Sequence, residues 1–238
     1  MTTPRPTETD ALPDDDAAQL ASLYTLLAEG LKHPDETLYR DVRAGRFDAE
    51  LIRLTDALRI DIPEGSVTIP ETRAAFDNEY VSIFEGLETP YAPPVESAYR
   101  QWHDGPGDDG LVSGPPAIEM RRRYRALGVE DTAGYHPDHV ALQLEYAAVL
   151  LSSGASDEHL RFLRDRLGWI EAFAALTETA SADAPFHRRC VSVTRRCLRA
   201  VRDRLGMDHP APGTTTVRIQ RADDRIGDRP SAETPKDR

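Results

Sequence analysis

Apolar residues recur every three or four positions through most of the chain, and this spacing is typical of amphipathic helices. In the first such stretch Leu20, Leu23, Leu27 and Leu31 fall on one face, and Pro34 closes the run. The pattern predicts helical segments at residues 15–34, 48–60, 70–86, 93–102, 115–129, 137–151, 157–180 and 184–206.

The rest of the chain consists of one short strand candidate and two terminal segments that lack the helical pattern. Residues 66–70, "SVTIP", are the one strand candidate in the body and have no partner. Residues 1–14 and 208–238 have little apolar content and no sustained period, so they cannot bury enough apolar surface to fold. We therefore expect an all-α, single-domain helical bundle of about eight or nine helices at residues 15–207, between a disordered acidic N-terminal tail and a disordered C-terminal tail.

The charge narrows the classes of partner. A formal net charge of −12 argues against nucleic acid, which demands a basic footprint, and favours cationic or apolar partners. Lysine occurs only at Lys32 and Lys236, and this arginine-rich, acidic composition is typical of a salt-adapted, halophilic proteome. No apolar run approaches the roughly 20 residues of a membrane span, and no apolar signal core follows Met1, so we expect a cytoplasmic protein without stable membrane insertion.

Several catalytic and cofactor classes lack their motifs. Cys190 and Cys197 lie seven apart in one predicted helix, too distant to form a disulfide and without metal-ligand spacing. Residues 105–110, "GPGDDG", match a dinucleotide fingerprint formally, but a helix and not a strand precedes them. The chain has no P-loop, no Glu-x-x-His pair and no Gly-x-Ser-x-Gly elbow.

The stretch "GYHPDHVALQLEYAAVL" at residues 134–150 carries the most suggestive chemistry. Pro137 fits the first helical position, and Asp138 beside it suits the helix dipole. A helix start does not explain His139. An acid beside a histidine at a helix entrance is compatible with a binding site, a catalytic pair or, together with His136, a metal site.

Three segments taken in order resemble the TorD/DmsD family of cytoplasmic chaperones for molybdoenzymes. They are "NEYVSIFEG" at residues 78–86, "PYAPPVESAYR" at residues 90–100 and "PDHVALQLEYAAVL" at residues 137–150. A weaker fourth is "HLRFLRDRLGWIEAF" at residues 159–173. The sequence departs from the family pattern at Gln143, where the family often has an acid or another hydrophobe. Alanines at 147 and 148 also replace bulkier residues.

The resemblance implies an all-helical, non-catalytic chaperone. Such proteins bind the twin-arginine signal peptide and the apo-form of a molybdopterin oxidoreductase and delay export until the cofactor is inserted. They act as monomers or homodimers and need no cofactor of their own, beyond a transient contact with the molybdopterin cofactor or a nucleotide. The positions carried over as peptide-binding are Tyr80, Phe84, Pro93, Pro94, Glu96, Ser97, Tyr99, Pro137, Asp138 and His139.

The residue chemistry supports this reading independently. Carboxylates match the guanidinium fork of arginine, and aromatic and proline side chains suit an apolar peptide stretch. Glu145 lies inside an apolar helix, and an unpaired buried carboxylate is unfavourable. We expect it to meet an arginine of this chain; an arginine of the client and a position on the exposed face are the alternatives. A nitrate reductase client stays open as an alternative, as do a helical metal-dependent hydrolase using His136, Asp138 and His139, and an acidic helical adaptor.

Overall fold

A computed structural model describes residues 12–62, 67–87, 89–100, 114–130 and 132–210. Most of both predicted tails, Ser66 of the strand candidate and the "GPGDDG" segment lie outside the described residues. Within them the chain forms an all-α, single-domain bundle, as predicted. None of the described helices is long and apolar enough to cross a membrane.

Nine α-helices lie within the described residues. They are α1 (Asp14–Gly30), α2 (Glu36–Arg43), α3 (Arg46–Ala57), α4 (Arg73–Tyr80), α5 (Pro115–Ala126), α6 (Val140–Ser152), α7 (Ser156–Asp165), α8 (Ile170–Thr179) and α9 (Pro185–Arg204). A π-helical turn, Val81–Glu85, continues α4, and 3-10 turns occupy Glu96–Ala98 and Leu167–Trp169. Residues 67–70 of the strand candidate form no strand.

Local capping explains two departures from the predicted segments. Helix α2 is an addition, started by Asp35, whose carboxylate accepts the Leu38 N–H at 2.7 Å. Helix α4 begins three residues after Pro70, because the Thr72 hydroxyl accepts the Ala75 N–H. Both caps are short polar side chains, so a prediction from the spacing of apolar residues does not detect them.

Two predicted helices are wrong in extent. Of the segment expected at 93–102, the described residues 93–100 are extended up to Val95 and helical only in the turn Glu96–Ala98, because the prolines lack N–H donors. The segment expected at 157–180 is divided into α7 and α8 by the 3-10 turn Leu167–Trp169, and Arg166 before that turn has a φ of −118°.

Helix α1 supplies the centre of the core. It packs against α3, α6 and α9, and Leu23, Tyr24 and Leu27 are fully buried. Leu20 and Leu31, predicted on the same face, are buried as well. Burying one such side chain contributes about 1.5–3 kcal/mol, so this face is a major source of the fold's stability.

Gly30 marks the closest approach of α1 to α9. A Cβ added there would lie 2.8 Å from Cys190 Sγ and 2.9 Å from Phe47 Cζ. Cys190 and Cys197, both on α9, are buried free thiols.

Gly30→Ala is expected to lower the free energy of unfolding by about 1–2 kcal/mol. Overpacking a core typically costs about 1–3 kcal/mol, and the better helix propensity of alanine offsets part of that. Urea unfolding measures the change. The control is the same substitution in a Cys190→Ala background, where the sulfur is gone and the loss should shrink; an equal loss in both backgrounds would show that this contact is not the cause.

Candidate functional site

A strap at residues 91–97, which is extended up to Val95 and enters the 3-10 turn at Glu96, docks against the entrance of α6. Its contacts are made by the backbone: Val140 N–H donates to the Pro94 carbonyl at 2.8 Å, and Glu96 N–H donates to the Asp138 carbonyl at 3.1 Å. Val95 and His139 form an isolated antiparallel bridge between these bonds. The second and third family-like segments of the sequence therefore meet as neighbouring pieces of chain.

Asp138 ties the strap down with its side chain. Its Oδ2 accepts the Ser97 N–H at 2.7 Å, and the residue is fully buried. The sequence placed Pro137 in the first turn of α6, and this is wrong, because the helix begins at Val140. Pro137 instead belongs to the turn before the helix, where its carbonyl accepts the Tyr124 hydroxyl at 2.8 Å.

His139 is the N-cap of α6. Its Nδ1 accepts the Ala141 N–H at 3.2 Å, which places the ring proton on Nε2, 3.4 Å from the Tyr80 hydroxyl oxygen. Burial lowers the pKa of His139 to about 3, and the nearby His136 and Lys32 act in the same direction. The ring is therefore neutral, and the cap gives this histidine the structural role that Pro137 and Asp138 were expected to fill.

Glu96 joins the strap to the junction of α7 and α8. Its buried carboxylate pairs with Arg166 and with Arg100, each at 2.8 Å, and accepts the Gln143 amide at 2.6 Å. Gln143 in turn accepts the Trp169 indole N–H at 2.9 Å. Burial raises the pKa of Glu96 to about 7, while Arg166 and Arg100 favour its ionised form. Gln143, a departure from the family pattern, is thus the bridge between Glu96 and Trp169.

A groove of about 500 Å³ opens beside the strap; we call it the proline groove. Among the described residues its lining is mainly aromatic and proline side chains, with one exposed acid, Glu85, and no Lys or Arg. The residues that line it are Tyr80, Phe84, Glu85, Tyr91, Pro93, Pro94, Val95, Ala133, Gly134, Tyr135, His136 and His139.

Half of the sequence-predicted site lines this groove. Tyr80, Phe84, Pro93, Pro94 and His139 do so together. The other half lies elsewhere: Glu96, Ser97 and Asp138 are buried in the strap contacts, Tyr99 stacks on Trp169 at 5.2 Å, and Pro137 lies on the far side of the 132–137 turn.

Sequence reasoning missed three groove residues that had a signal. Glu85 and Tyr91 stand inside the quoted family-like segments, and Tyr135 lies four residues before His139. The π-helical turn after α4 brings Glu85 to the groove rim. The Tyr91 ring packs against Gly86, whose φ of +83° ends that turn and whose added Cβ would lie 2.8 Å from the ring.

A second, larger groove of about 780 Å³ runs between α1, α5 and α6; we call it the apolar groove. Leu127, Val129, Leu142 and Val149 contribute most of its apolar character, and Ala148 gives it room where the family has bulkier residues. Its full lining is Thr25, Lys32, Tyr124, Leu127, Val129, Thr132, Ala133, Tyr135, Leu142, Glu145, Tyr146, Ala148, Val149, Ser152 and Ser153.

Glu145 lies at one end of the apolar groove and is only partly buried. The arginine partner expected for it is wrong, because Glu145 pairs with Lys32 at 2.5 Å. The same ammonium group contacts Glu29 at 2.9 Å. One cation between two carboxylates leaves this end of the groove with an excess of negative charge.

The geometry gives no support to a metal centre at the α6 entrance. Among the described residues no group of three or more His, Cys, Asp or Glu side chains is arranged to hold a metal ion. His139 Nδ1 and the Asp138 carboxylate are both engaged in the chain's own hydrogen bonds.

A family model described as nitrate reductase delta subunit matches residues 44–179, more than half of the chain. The matched region begins just before α3 and ends with α8, so it contains the strap, the α6 entrance and the Glu96 contacts. No curated protein sequence matches the chain.

Proposed function

Because the chain belongs to the nitrate reductase delta subunit family, a family of molybdoenzyme maturation chaperones, we propose that it binds the twin-arginine signal peptide of a molybdopterin oxidoreductase. The chaperone would hold the apo-enzyme in the cytoplasm until its cofactor is inserted, and so delay export. The observation that carries this proposal is the proline groove, with its aromatic and proline walls and its single acid.

Glu85 is the group suited to the arginine pair. It is exposed at the rim, and no Lys or Arg among the described lining residues competes for it. A charge-assisted hydrogen bond from a guanidinium to a carboxylate contributes about 1.5–3 kcal/mol. Tyr91 and Tyr135 supply ring faces over which a second guanidinium can lie.

The surroundings strengthen the preference for a cation. Burial raises the pKa of the Tyr135 phenol, the His33 N–H and Lys32 lower it, and the carboxylates of Glu29 and Glu85 raise it. The net charge of −12 attracts basic peptides over longer distances. A few such contacts give micromolar affinity, about −8 kcal/mol, which holds a client and still releases it.

Glu85→Lys is expected to weaken binding of a twin-arginine peptide at least tenfold, since it replaces an attraction by a repulsion at the groove rim. Isothermal titration calorimetry with the full chain measures the dissociation constant. Asp61→Lys makes the same charge change at a side chain that is 96% exposed and outside the groove, and should have little effect.

Two further measurements, one that changes the peptide and one that changes the salt concentration, separate recognition of charge from recognition of apolar side chains. A lysine-pair peptide should bind Glu85 more weakly than the arginine pair, because lysine lacks the bidentate fork. Raising salt from 0.1 to 1 M shortens the screening length from about 10 to about 3 Å and should weaken the arginine contribution. Equal affinities of Glu85→Lys and the unaltered chain at low salt would remove the arginine site from this groove.

The identity of the client is a separate choice. The catalytic subunit of a nitrate reductase suits the family description as well as a dimethyl sulfoxide or trimethylamine N-oxide reductase does. Capture of the chaperone from native cells, followed by mass spectrometry of the bound subunit, decides between them. The same capture is repeated with the Glu85→Lys variant as control. A partner that is recovered with the unaltered chain and lost with the variant depends on the proline groove.

A further inference from the structure

We propose that the proline groove and the apolar groove form one bipartite peptide site, divided by Tyr135, in which the apolar groove takes the apolar stretch that follows the arginine pair. This inference rests on the proposed function and adds a second contact surface, a direction for the peptide and a dividing residue.

The two grooves share a wall. Ala133 and Tyr135 line both of them. The Tyr135 hydroxyl accepts the His33 N–H at 3.0 Å, and its ring centroid lies 4.9 Å from that of His139. Its carbonyl accepts the Thr132 hydroxyl at 2.6 Å. Tyr135 is therefore held between the end of α1 and the start of α6, as a fixed divider.

The two grooves match the two parts of such a peptide: one suits the arginine pair, and the neighbouring one suits the apolar stretch that follows it. The proline groove presents its acid, Glu85, and aromatic faces to a cation. The apolar groove presents Leu127, Val129 and Val149, which are 47%, 45% and 45% exposed. These are three of the six large hydrophobic side chains exposed among the described residues, so exposed apolar surface is concentrated here.

Charge and continuity select the occupant. A peptide whose arginine pair lies in the proline groove reaches the apolar groove by passing over Tyr135, and its apolar stretch is the segment whose chemistry matches the exposed Leu127, Val129 and Val149. Lys32, the cation of this groove, is neutralised by Glu29 and Glu145, so it does not repel a segment that follows two arginines. Covering apolar surface contributes about 25 cal/mol per Å², so the second groove adds affinity without adding charge recognition.

The first experiment compares two peptides on three forms of the full chain. One peptide carries the arginine pair with its apolar stretch, and the other ends after the arginine pair. Val149→Asp should weaken the long peptide at least tenfold and leave the short one unchanged. Ile52→Asp is the matched control, because Ile52 is 46% exposed on α3 and lines neither groove, so both peptides should bind it normally.

The outcomes distinguish this inference from the proposed function. If Glu85→Lys weakens the long peptide and Val149→Asp does not, the single-groove function stands and the bipartite site is overturned. If neither peptide binds the unaltered chain, both proposals are overturned. Circular dichroism of each variant confirms that its helices are intact.

Photo-crosslinking identifies the occupant directly. A benzoyl-phenylalanine in place of Val149 should crosslink to the apolar stretch of the long peptide, and one in place of Tyr91 should crosslink near the arginine pair. Crosslinks from position 149 to a second copy of the chain, or to the chain's own terminal residues, would assign the apolar groove to that occupant and overturn the inference.

Discussion

Arg166→Ala is expected to lower the free energy of unfolding by about 3–5 kcal/mol, the usual effect of removing one partner of a buried ion pair. Glu96 is fully buried and Arg166 is only 12% exposed, so water cannot replace the lost guanidinium. Arg100 remains at 2.8 Å, but it is more exposed and lies on one side of the carboxylate. Chemical denaturation near pH 7 measures the loss.

The loss should grow with pH. Burial already raises the pKa of Glu96 to about 7, and removing Arg166 raises it further. The folded variant then binds a proton that the unfolded chain releases above about pH 4.5, so its stability falls as the pH rises through the folded-state pKa. Arg166→Ala should therefore be closer to the unaltered chain at pH 6 than at pH 8.

Two further variants test the cause. Arg164→Ala removes an arginine two residues away that is 63% exposed and pairs with exposed Asp165, and it should change stability little. The double variant Glu96→Gln with Arg166→Ala buries no unpaired charge and should be more stable than Arg166→Ala alone. If the loss in free energy of unfolding of the double variant equals the sum of the losses of Glu96→Gln and Arg166→Ala measured separately, the ion-pair explanation is contradicted.

His139→Asn is expected to reduce the acid sensitivity of the fold. Asparagine is among the best N-caps, so the variant keeps a cap for α6 while removing the titrating ring. The pKa of His139 is about 3 in the folded state against about 6.5 when unfolded. Between these values the unfolded chain binds the additional proton, so histidine lowers the free energy of unfolding as the pH falls.

The size of the effect follows from linkage. Each pH unit below 6.5 costs the unaltered chain about 1.4 kcal/mol at this residue, or about 2 kcal/mol by pH 5. The stability difference between His139→Asn and the unaltered chain should shift by that amount in favour of the variant. His159 and His187, whose pKa values burial also lowers, contribute equally to both proteins and cancel.

Urea unfolding at pH 7.5, 6.5, 5.5 and 5.0 provides the comparison. His209→Asn serves as the control for the exchange of an exposed histidine that lies beyond the end of α9. A constant difference between His139→Asn and the unaltered chain across this range would mean that the ring is not held neutral, and that the assignment of Nδ1 as the cap acceptor is wrong.

The fold could be predicted largely from the apolar period, because burial of one helix face dominates its stability. The four leucines predicted on one face of the first helix, Leu20, Leu23, Leu27 and Leu31, are all in the core. Helix α2 was missed because its start depends on the Asp35 carboxylate. The apolar pattern is continuous across the α7–α8 junction, so it did not show the division at Arg166, whose guanidinium pairs with Glu96, seventy residues away.

The candidate site was accessible only in part. Aromatic and proline positions of the proline groove lie in family-like segments, and local sequence is enough to mark them. The role of Asp138 depends on the strap and not on its own helix, and Glu96 resembles a cap in sequence while its partners lie on other elements. Hydrogen bonds between residues far apart in the chain produce no periodic pattern in the sequence, so the pattern could not predict them.

The docking of the strap has a consequence for how such a site diversifies. The bonds at Pro94 and Glu96 use main-chain atoms, whereas the side chains of Tyr91 and Pro93 face the groove. Exchanging those side chains changes what the groove accepts and leaves the main-chain bonds in place. One scaffold is thus able to acquire new clients through point substitutions, because the backbone that carries those side chains is preserved.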